Sequence, residues 1–208
     1  MKKIISCLLL FSILLGSLSL YGCGPTEEDA VLLAKAKELT EASAKLNSLL
    51  FGEGIKAKEG GYELGAYAEA DSESLAYYGV ESVTDIKLYI GSIYSKATAL
   101  WIESTVLNST KAESQALTYA RYYDGSWQVG SETKSGLMVK TNYEATAVGE
   151  VSYDNYVLFS TSMNEVVFLV DITVTDGEIT KVFPEERITM RKEKGIWLLD
   201  TTTYASIK

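Results

Sequence analysis

The fold class is indicated by residues 165–183, which read EVVFLVDITVTDGEITKVF. Large apolar residues occupy every second position from 166 to 174, and polar residues stand between them in the second half of that run. A two-residue period matches the alternating side-chain directions of a β-strand that buries one face. Asp176 and Gly177 supply a turn signal, and a second β-prone run follows over 179–183. The stretch therefore predicts an antiparallel hairpin.

The strand pattern continues on the C-terminal side of this hairpin. Pro184 interrupts the run, and because proline cannot donate a ladder hydrogen bond, it marks an edge, a bulge or a bend. Residues 188–190 resume the β-prone pattern, Lys194 and Gly195 supply a turn, and residues 196–199 read as a closing strand. Together these residues extend the hairpin to a meander.

Two further turn signals lie on the N-terminal side. The dipeptide DG at 124–125 stands between β-prone runs over 118–123 and 127–129, which predicts a second hairpin. The dipeptide DN at 154–155 separates two more β-prone runs. We therefore expect one antiparallel sheet drawn from residues 117–204.

Residues 26–51 carry the spacing of one long amphipathic helix. Thr26 is followed by three acidic residues, the pattern of an N-cap and an acidic first turn. Gly52 and Gly54 mark its end. The face expected to pack on the sheet consists of Leu32, Ala36, Leu39, Ser43, Leu46 and Leu50.

The middle of the chain mixes strand and helix signals. The residues YAEA at 67–70 read as an edge strand, and YYGV at 77–80 read as another short strand. The residues SVTD at 82–85 indicate the start of a second helix, and a break near Ser95 separates it from a third. One or two helices after the first, followed by a meander of strands, indicate a single α+β domain over 26–208.

The first 22 residues have the order of a secretory signal peptide. Lys2 and Lys3 form a positive start, residues 4–20 form an apolar run, and the small Gly22 precedes Cys23. A membrane-spanning anchor is the alternative, but such a helix needs ~20 apolar residues. This run is shorter and contains four serines, so the cleaved signal peptide is favoured.

The residues LYGC at 20–23 resemble the bacterial lipobox. The resemblance implies a diacylglyceryl group on the Cys23 sulfur and cleavage between Gly22 and Cys23. Residues 1–22 are then the signal peptide, and residues 23–25 are the lipidated cysteine with a short tether. Because two acyl chains hold a protein stably on a bilayer, we expect an extracytoplasmic protein that is anchored by lipid to a bacterial membrane at the cell surface.

Composition excludes several kinds of chemistry. The chain has no histidine, and Cys7 would leave with the leader, so Cys23 would be the one cysteine of the mature protein. Histidine-based triads, histidine zinc sites and free-thiol chemistry are therefore excluded. Loss of Lys2 and Lys3 changes the net charge from −9 to −11, which repels nucleic-acid phosphates. We expect no cofactor, no metal and no nucleic-acid partner.

Acidic residues supply the few candidates for a site. Glu69, Asp71 and Glu73 alternate as in loose calcium loops, but the glycine that such loops need is missing, so a solvated acidic loop is favoured. Asp171 stands in an apolar strand, where burial would raise its pKa and suit acid–base chemistry, but a solvent-facing position is favoured. The adjacent acids at 185–186 point to opposite sides of a strand and cannot act as a pair.

Three motifs carry a resemblance to a known family. They are LLFGEG at 49–54, SVTDI at 82–86 and GIWLLD at 195–200. Together they resemble uncharacterised lipoproteins of Gram-positive anaerobes with an NTF2-like (cystatin-like) fold. The resemblance implies helices packed on a curved antiparallel sheet, which forms a cone with space for a pocket. A half-barrel fold like that of lipid-carrying lipoproteins is the alternative architecture.

Two classes of function remain open. The first, which is favoured, is a non-catalytic module that binds a small ligand or an envelope protein in or near the cone. The second is a hydrolase or isomerase that uses a carboxylate and a tyrosine in the same pocket. Fourteen tyrosines fit half-buried strands better than a tyrosine-lined binding platform. A carboxylate buried beside a tyrosine hydroxyl would favour the enzyme, whereas an interior filled with side chains would favour the binding module.

Overall fold

A computed structural model of the protein describes residues 26–107, 121–145 and 149–203. The predicted leader, the cleavage site at Gly22 and Cys23, and the first residues of the predicted 118–123 strand lie outside the described residues.

The described residues from Leu33 onward form one compact unit, and the described residues before Leu33 belong to a separate unit. The helices are α1 (Glu27–Leu50), α2 (Ser72–Tyr78), α3 (Val83–Ile93) and α4 (Lys96–Val106). The strands are β1 (Glu63–Leu64), β2 (Tyr67–Glu69), β3 (Tyr122–Val129), β4 (Glu132–Lys140), β5 (Glu150–Thr161), β6 (Glu165–Asp176), β7 (Ile179–Glu193) and β8 (Ile196–Leu199). Helices come first and antiparallel strands follow, so the predicted α+β class is confirmed.

The helix α1 begins and ends where the sequence predicts. The Asp29 N–H donates to Thr26 Oγ1 at 3.1 Å, and the Thr26 N–H donates to Asp29 Oδ2 at 2.8 Å. The bond from the Thr26 backbone N–H, followed by an interaction with the Thr26 side chain, lowers the pKa of the Asp29 carboxyl, because both favour its charged form. At the other end, the Gly52 N–H donates to the carbonyls of Asn47 and Ser48. The prediction of one continuous helix is confirmed.

The strands form two sheets, whereas the sequence predicted one. The first sheet has the order β1-β2-β4-β3 and the second has the order β5-β6-β7-β8. Every pairing between these strands is antiparallel. Because β2 and β3 already occupy both sides of β4, no side of β4 is left for β5. The predicted edge strand at 67–70 was wrong in position, since β2 lies between β1 and β4.

The predicted turn at 124–125 was also wrong, because both residues lie inside β3. Gly125 pairs with Gly136 across the β3–β4 ladder. A Cβ atom on Gly125 would lie 2.6 Å from the Met138 side chain, so this glycine gives space for packing and does not turn the chain. The hairpin turns instead at Gly130, which has a φ of 64°. The dipeptide at 154–155 likewise lies within one strand, β5.

Residues 72–78 form a helix where a strand was predicted for 77–80. The Ser74 N–H donates to the Asp71 carboxylate at 2.8 Å, which makes Asp71 the N-cap of α2. Gly79 ends the helix in the left-handed conformation. The two caps outweigh the β-propensity of Tyr77 and Tyr78. The described residues therefore hold three helices after α1, where one or two were predicted, and the predicted break at Ser95 is confirmed as the N-cap of α4.

The central strand β6 supplies the core of the second sheet. Its two-residue period is confirmed, since Val166, Phe168, Val170, Ile172 and Val174 are all buried. The same strand carries Asp171, which links irregularities in both neighbouring strands. Asp171 Oδ2 accepts a bond from Asn155 Nδ2 at 2.8 Å, and Asp171 Oδ1 accepts one from the Glu185 N–H at 2.9 Å.

Asn155 and Glu185 both have a positive φ, of 52° and 54°, and each lies at a break in the strand register. The bulge interpretation of the neighbouring Pro184 is therefore confirmed, while β7 is an inner strand and not an edge. Asp171 is partly exposed, and the bond from Asn155, followed by that from Glu185, lowers its pKa. The raised pKa considered for a buried Asp171 was wrong.

Leu39 is 2 % exposed in α1, so we expect Leu39→Asp to lower the free energy of unfolding by about 3 kcal/mol or more. Leu88 is 67 % exposed in α3, and Leu88→Asp is the matched control, with a cost of at most about 1 kcal/mol. Chemical denaturation of both variants measures the difference. Equal stability of the two variants would contradict the placement of the α1 face in the core.

The lowered pKa of Asp171 makes a pH-dependent contribution to stability. This contribution is complete above the ordinary aspartate value of 3.8 and is lost as the pH falls through the lower pKa of the folded state. We expect Asp171→Asn to be less stable than wild type at pH 6 and to approach it below pH 3. Denaturation curves across this range test the prediction. The exposed turn variant Glu178→Gln should follow the wild-type pH profile, and an identical profile for Asp171→Asn would contradict the bulge-linking role.

Candidate functional site

Three residues that lie in or next to strands of the first sheet bind the end of α1 and the segment after it. Tyr122 Oη donates to the Leu49 carbonyl at 2.6 Å, and Tyr143 Oη donates to the Leu50 carbonyl at 3.2 Å. Arg121 Nη2 donates to the carbonyls of Gly52 at 2.7 Å and Glu53 at 2.5 Å. The carbonyls of Leu49 and Leu50 are among those that the end of a helix leaves without partners inside the helix, and the carbonyls of Gly52 and Glu53 belong to the segment that follows it. The bonds fix where α1 ends and where the following segment runs.

Arg121 is a buried cation whose surroundings compensate its charge without a carboxylate. It is 4 % exposed, and its guanidinium lies 4.0 Å from the ring centre of Tyr143 and 5.3 Å from that of Tyr122. The negative end of the α1 dipole and the two ring faces favour a positive charge here. Nη1 is buried and has no hydrogen-bond partner within the described parts of the chain. Sequence analysis missed Arg121, because the residues that it binds are backbone carbonyls, which no side-chain pattern reveals.

Gly54 allows the chain to pass close to this cation. Its φ is +66°, and a Cβ atom there would collide with the Arg121 guanidinium and the Tyr122 hydroxyl. The next N–H, that of Ile55, donates to Tyr122 Oη at 3.2 Å. The segment after α1 is therefore held in one path, and it forms one side of a cleft.

The cleft has a volume of about 1220 Å³. Five parts of the second unit surround it. They are α1 with Ala44, Lys45, Asn47 and Ser48; the following segment with Gly52, Glu53, Gly54 and Lys56; the α2 region with Asp71, Glu73, Ser74, Tyr77 and Tyr78; the β5 region with Ala145, Gly149, Glu150 and Val151; and the β6–β7 turn with Thr175, Asp176 and Gly177.

Two adjacent tyrosines of α2 form the aromatic part of the cleft. Tyr78 is buried, and its hydroxyl lies 3.1 Å from Ser48 Oγ of α1. Tyr77 is 66 % exposed, and its ring meets that of Tyr78 edge to face, with centres 4.9 Å apart. Lys45 Nζ lies 4.8 Å from the centre of the Tyr77 ring. One tyrosine therefore fixes α2 to α1, and the other presents its ring to the cleft.

Charges of both signs line the cleft. Lys45 and Lys56 line it, as do five carboxylates, those of Glu53, Asp71, Glu73, Glu150 and Asp176. Within the described residues, no ion pair joins any of these seven side chains to a partner. The cleft thus offers charged donors and acceptors that are not neutralised by neighbouring side chains.

The acids considered for calcium are used in other ways. Glu69 Oε1 lies 2.7 Å from Lys58 Nζ, and Asp71 caps α2. The pKa of the Glu69 carboxyl is lowered, chiefly by its hydrogen bond with Lys58. No group of three or more potential metal ligands is present in the described ranges. The favoured interpretation of a solvated acidic loop was wrong in its local structure, because Glu69 lies in β2 and Glu73 lies in α2.

A second polar cluster lies deep between α1, β5 and the end of the chain. Ser43 Oγ lies 2.5 Å from Thr203 Oγ1, and Tyr94 Oη lies 3.1 Å from the same atom. Tyr153 Oη donates to the Thr203 carbonyl at 3.0 Å, and Thr40 Oγ1 lies 2.5 Å from Tyr156 Oη. Thr40, Ser43, Tyr94 and Thr203 are all buried.

The phenols of this cluster are poor bases. Burial raises the pKa of both Tyr94 and Tyr156 to about 12, so both stay protonated near neutral pH. None of the hydrogen bonds described for the cluster involves a carboxylate. The carboxylates of Glu41 and Asp154 lie near enough to Tyr156 to raise the pKa of its phenol further, but among the described residues neither carboxylate is hydrogen-bonded to a tyrosine of the cluster. Ser43, in the middle of the predicted apolar face, was the sequence signal for this cluster.

The other predicted site residues are not brought together. Asp171 and Glu185 share a hydrogen bond at the bulges of the second sheet, and neither lines the cleft. Cys23 and Gly22 lie outside the described residues. Across residues 26–107, 121–145 and 149–203, no helix has the length and apolar character needed to cross a membrane.

Gly54 and Gly60 have the same φ of +66°, but a Cβ on Gly60 would meet no atom within 4 Å. We expect Gly60→Ala to cost about 1 kcal/mol, because only backbone strain is added. Gly54→Ala should cost at least about 2 kcal/mol more, because Arg121 and Tyr122 must move away from the carbonyls that they bind. Denaturation of the two variants measures the difference, and equal losses would show that the contact with Arg121 is unimportant.

Comparisons of the chain with protein-family models, with curated proteins and with solved structures found no match.

Proposed function

We propose that this protein is an extracytoplasmic lipoprotein, anchored to a bacterial membrane by lipid on Cys23, whose folded part binds a ligand without catalysing a reaction. The lipobox-like residues at 20–23 support the anchor. The NTF2-like assignment is part of the same proposal, supported by the long α1 beside antiparallel sheets and by the motif resemblance. The half-barrel lipoprotein fold is its alternative.

The cleft is the observation that carries the binding function. Its volume of about 1220 Å³ reaches the size of known ligand sites, which occupy ~300–1,000 Å³. Its sides are positioned by hydrogen bonds from Tyr122 and Arg121 on one side and by the caps of α2 on the other. Elements that are fixed in this way can hold a ligand without first being ordered by it, which favours binding.

A carboxylate- and tyrosine-based hydrolase or isomerase is the second candidate, because Glu73 and Tyr77 line the same cleft. The chain offers no histidine and the mature chain no free thiol, so a base would have to be a carboxylate. Tyr94, Tyr122 and Tyr156 cannot act as the base near neutral pH, because their raised pKa keeps them protonated.

Hydrogen–deuterium exchange tests the binding function on the purified full chain in detergent. A panel of oligosaccharides, peptides and chromogenic ester, glycoside and phosphate substrates is added in turn. We expect one class to protect residues 44–56 and 71–78 without turnover. Turnover that disappears in Glu73→Gln, while the melting temperature stays unchanged, would support the enzyme and contradict the proposal.

The anchor is tested by substituting each of the two cysteines. We expect Cys23→Ser to abolish incorporation of a labelled fatty acid and the cut before residue 23, because the thiol is the predicted lipid acceptor. Cys7→Ser is the matched control and should be labelled like wild type, since Cys7 lies inside the leader. Metabolic labelling and mass measurement of the mature N-terminus give the result. Unlabelled wild-type protein, or a mature chain that begins elsewhere, would end the lipoprotein proposal.

A further inference from the structure

We propose that the cleft binds a neutral oligosaccharide and that the ring of Tyr77 is the surface on which a sugar ring stacks. This inference rests on the proposed binding function and gives it a ligand class. The reasons are the position of Tyr77, the chemistry of the surrounding side chains and the size of the cleft.

Tyr77 is held as a rigid, exposed ring. Among the tyrosines of the described residues, Tyr77 alone is exposed, at 66 %. Its ring packs edge to face on Tyr78, which in turn reaches Ser48 of α1. The negative face of an aromatic ring attracts the partly positive C–H groups that a sugar ring presents on its flat side. Lys45 Nζ lies over the Tyr77 ring, 4.8 Å from its centre, so a sugar stacks on the part of the ring that Lys45 leaves exposed. A ring that is already fixed loses little conformational entropy when a sugar stacks on it.

The side chains around Tyr77 suit hydroxyl groups, which both donate and accept hydrogen bonds. Glu53, Glu73 and Asp176 accept, Lys56 donates, and Ser48 does both. Apolar side chains are few, so the cleft does not suit an acyl chain. A polyanion would be repelled by the five carboxylates that line the cleft and a polycation by Lys45 and Lys56, whereas an uncharged ligand avoids both repulsions.

The volume of the cleft favours more than one sugar ring. At about 1220 Å³ it exceeds the ~300–1,000 Å³ that serves a drug-sized molecule. Side chains that can hydrogen-bond to sugar hydroxyl groups lie on both sides of the cleft, with Lys56 after α1 on one side and Asp176 of the β6–β7 turn on the other. A chain of several sugars can contact both sides of the cleft at once more readily than a single sugar ring can.

Calorimetric titration of the full chain tests the inference, in a zwitterionic detergent that has no sugar headgroup. The probes are uncharged hexasaccharides of β-1,4-linked glucose, β-1,4-linked N-acetylglucosamine, mannose and xylose. We expect at least one to bind and to protect residues 44–56 and 71–78 from exchange. Tyr77→Ala should weaken this binding at least about tenfold, and Tyr77→Phe should keep it, because Phe retains the ring.

Trp101 is the matched control, because it is 54 % exposed on α4 and does not line the cleft. Trp101→Ala should bind like wild type, and equal melting temperatures exclude unfolding as the cause of any loss. A hexasaccharide that binds Tyr77→Ala as tightly as wild type would overturn the stacking role. If no hexasaccharide binds but a tetralysine peptide protects the same segments, the ligand class is wrong and the proposed binding function stands. If no probe protects the cleft from exchange, both the oligosaccharide inference and the proposed binding function are overturned.

Discussion

The end of α1 depends on hydrogen bonds that come from another part of the chain. The carbonyls of residues 49, 50, 52 and 53 are bound by Tyr122, Tyr143 and Arg121, which lie at least 68 positions further along the sequence. These bonds join the first helix to the first sheet. The segment after the helix can pass close to Arg121 and Tyr122 because its residue 54 is a glycine. The position of that segment, and with it one side of the cleft, follows from satisfying these backbone acceptors.

The local parts of the fold could be predicted from the sequence because local chemistry determines them. The capping box of Thr26, the N-caps at Ser82 and Ser95 and the two-residue period of β6 are contained in a few adjacent residues. The division into two sheets could not be predicted, because it depends on β2 occupying one side of β4. The pairing of strands that are about 70 positions apart leaves no local signal in either of them. Gly125 shows the same limit, since a turn glycine and a packing glycine look alike in sequence.

The cleft was harder to predict than the fold, for a physical reason. Its surface joins residues from α1, α2 and the β6–β7 turn, and only folding brings them together. Tyr77 was predicted as part of a strand, so its exposure at the end of a capped helix could not be anticipated. The abundance of tyrosine was a usable signal, and most of the described tyrosines are indeed buried or half-buried, as the favoured interpretation had it. The absence of histidine excluded histidine-based catalytic and metal sites, whereas the class of ligand depends on the geometry of the cleft.

The bulges linked by Asp171 also affect how neighbouring copies of the protein meet. The strand β5 lies at an edge of its sheet, and an edge strand offers unpaired N–H and C=O groups to any other extended chain. The register breaks near Asn155 and Ser160 interrupt that regular row at two places. For molecules held in the plane of a membrane, as proposed here, encounters between copies are frequent and similarly oriented. A broken edge is a poorer template for strand-to-strand joining between copies, and Asp171 holds one of the two breaks in place through its bond with Asn155.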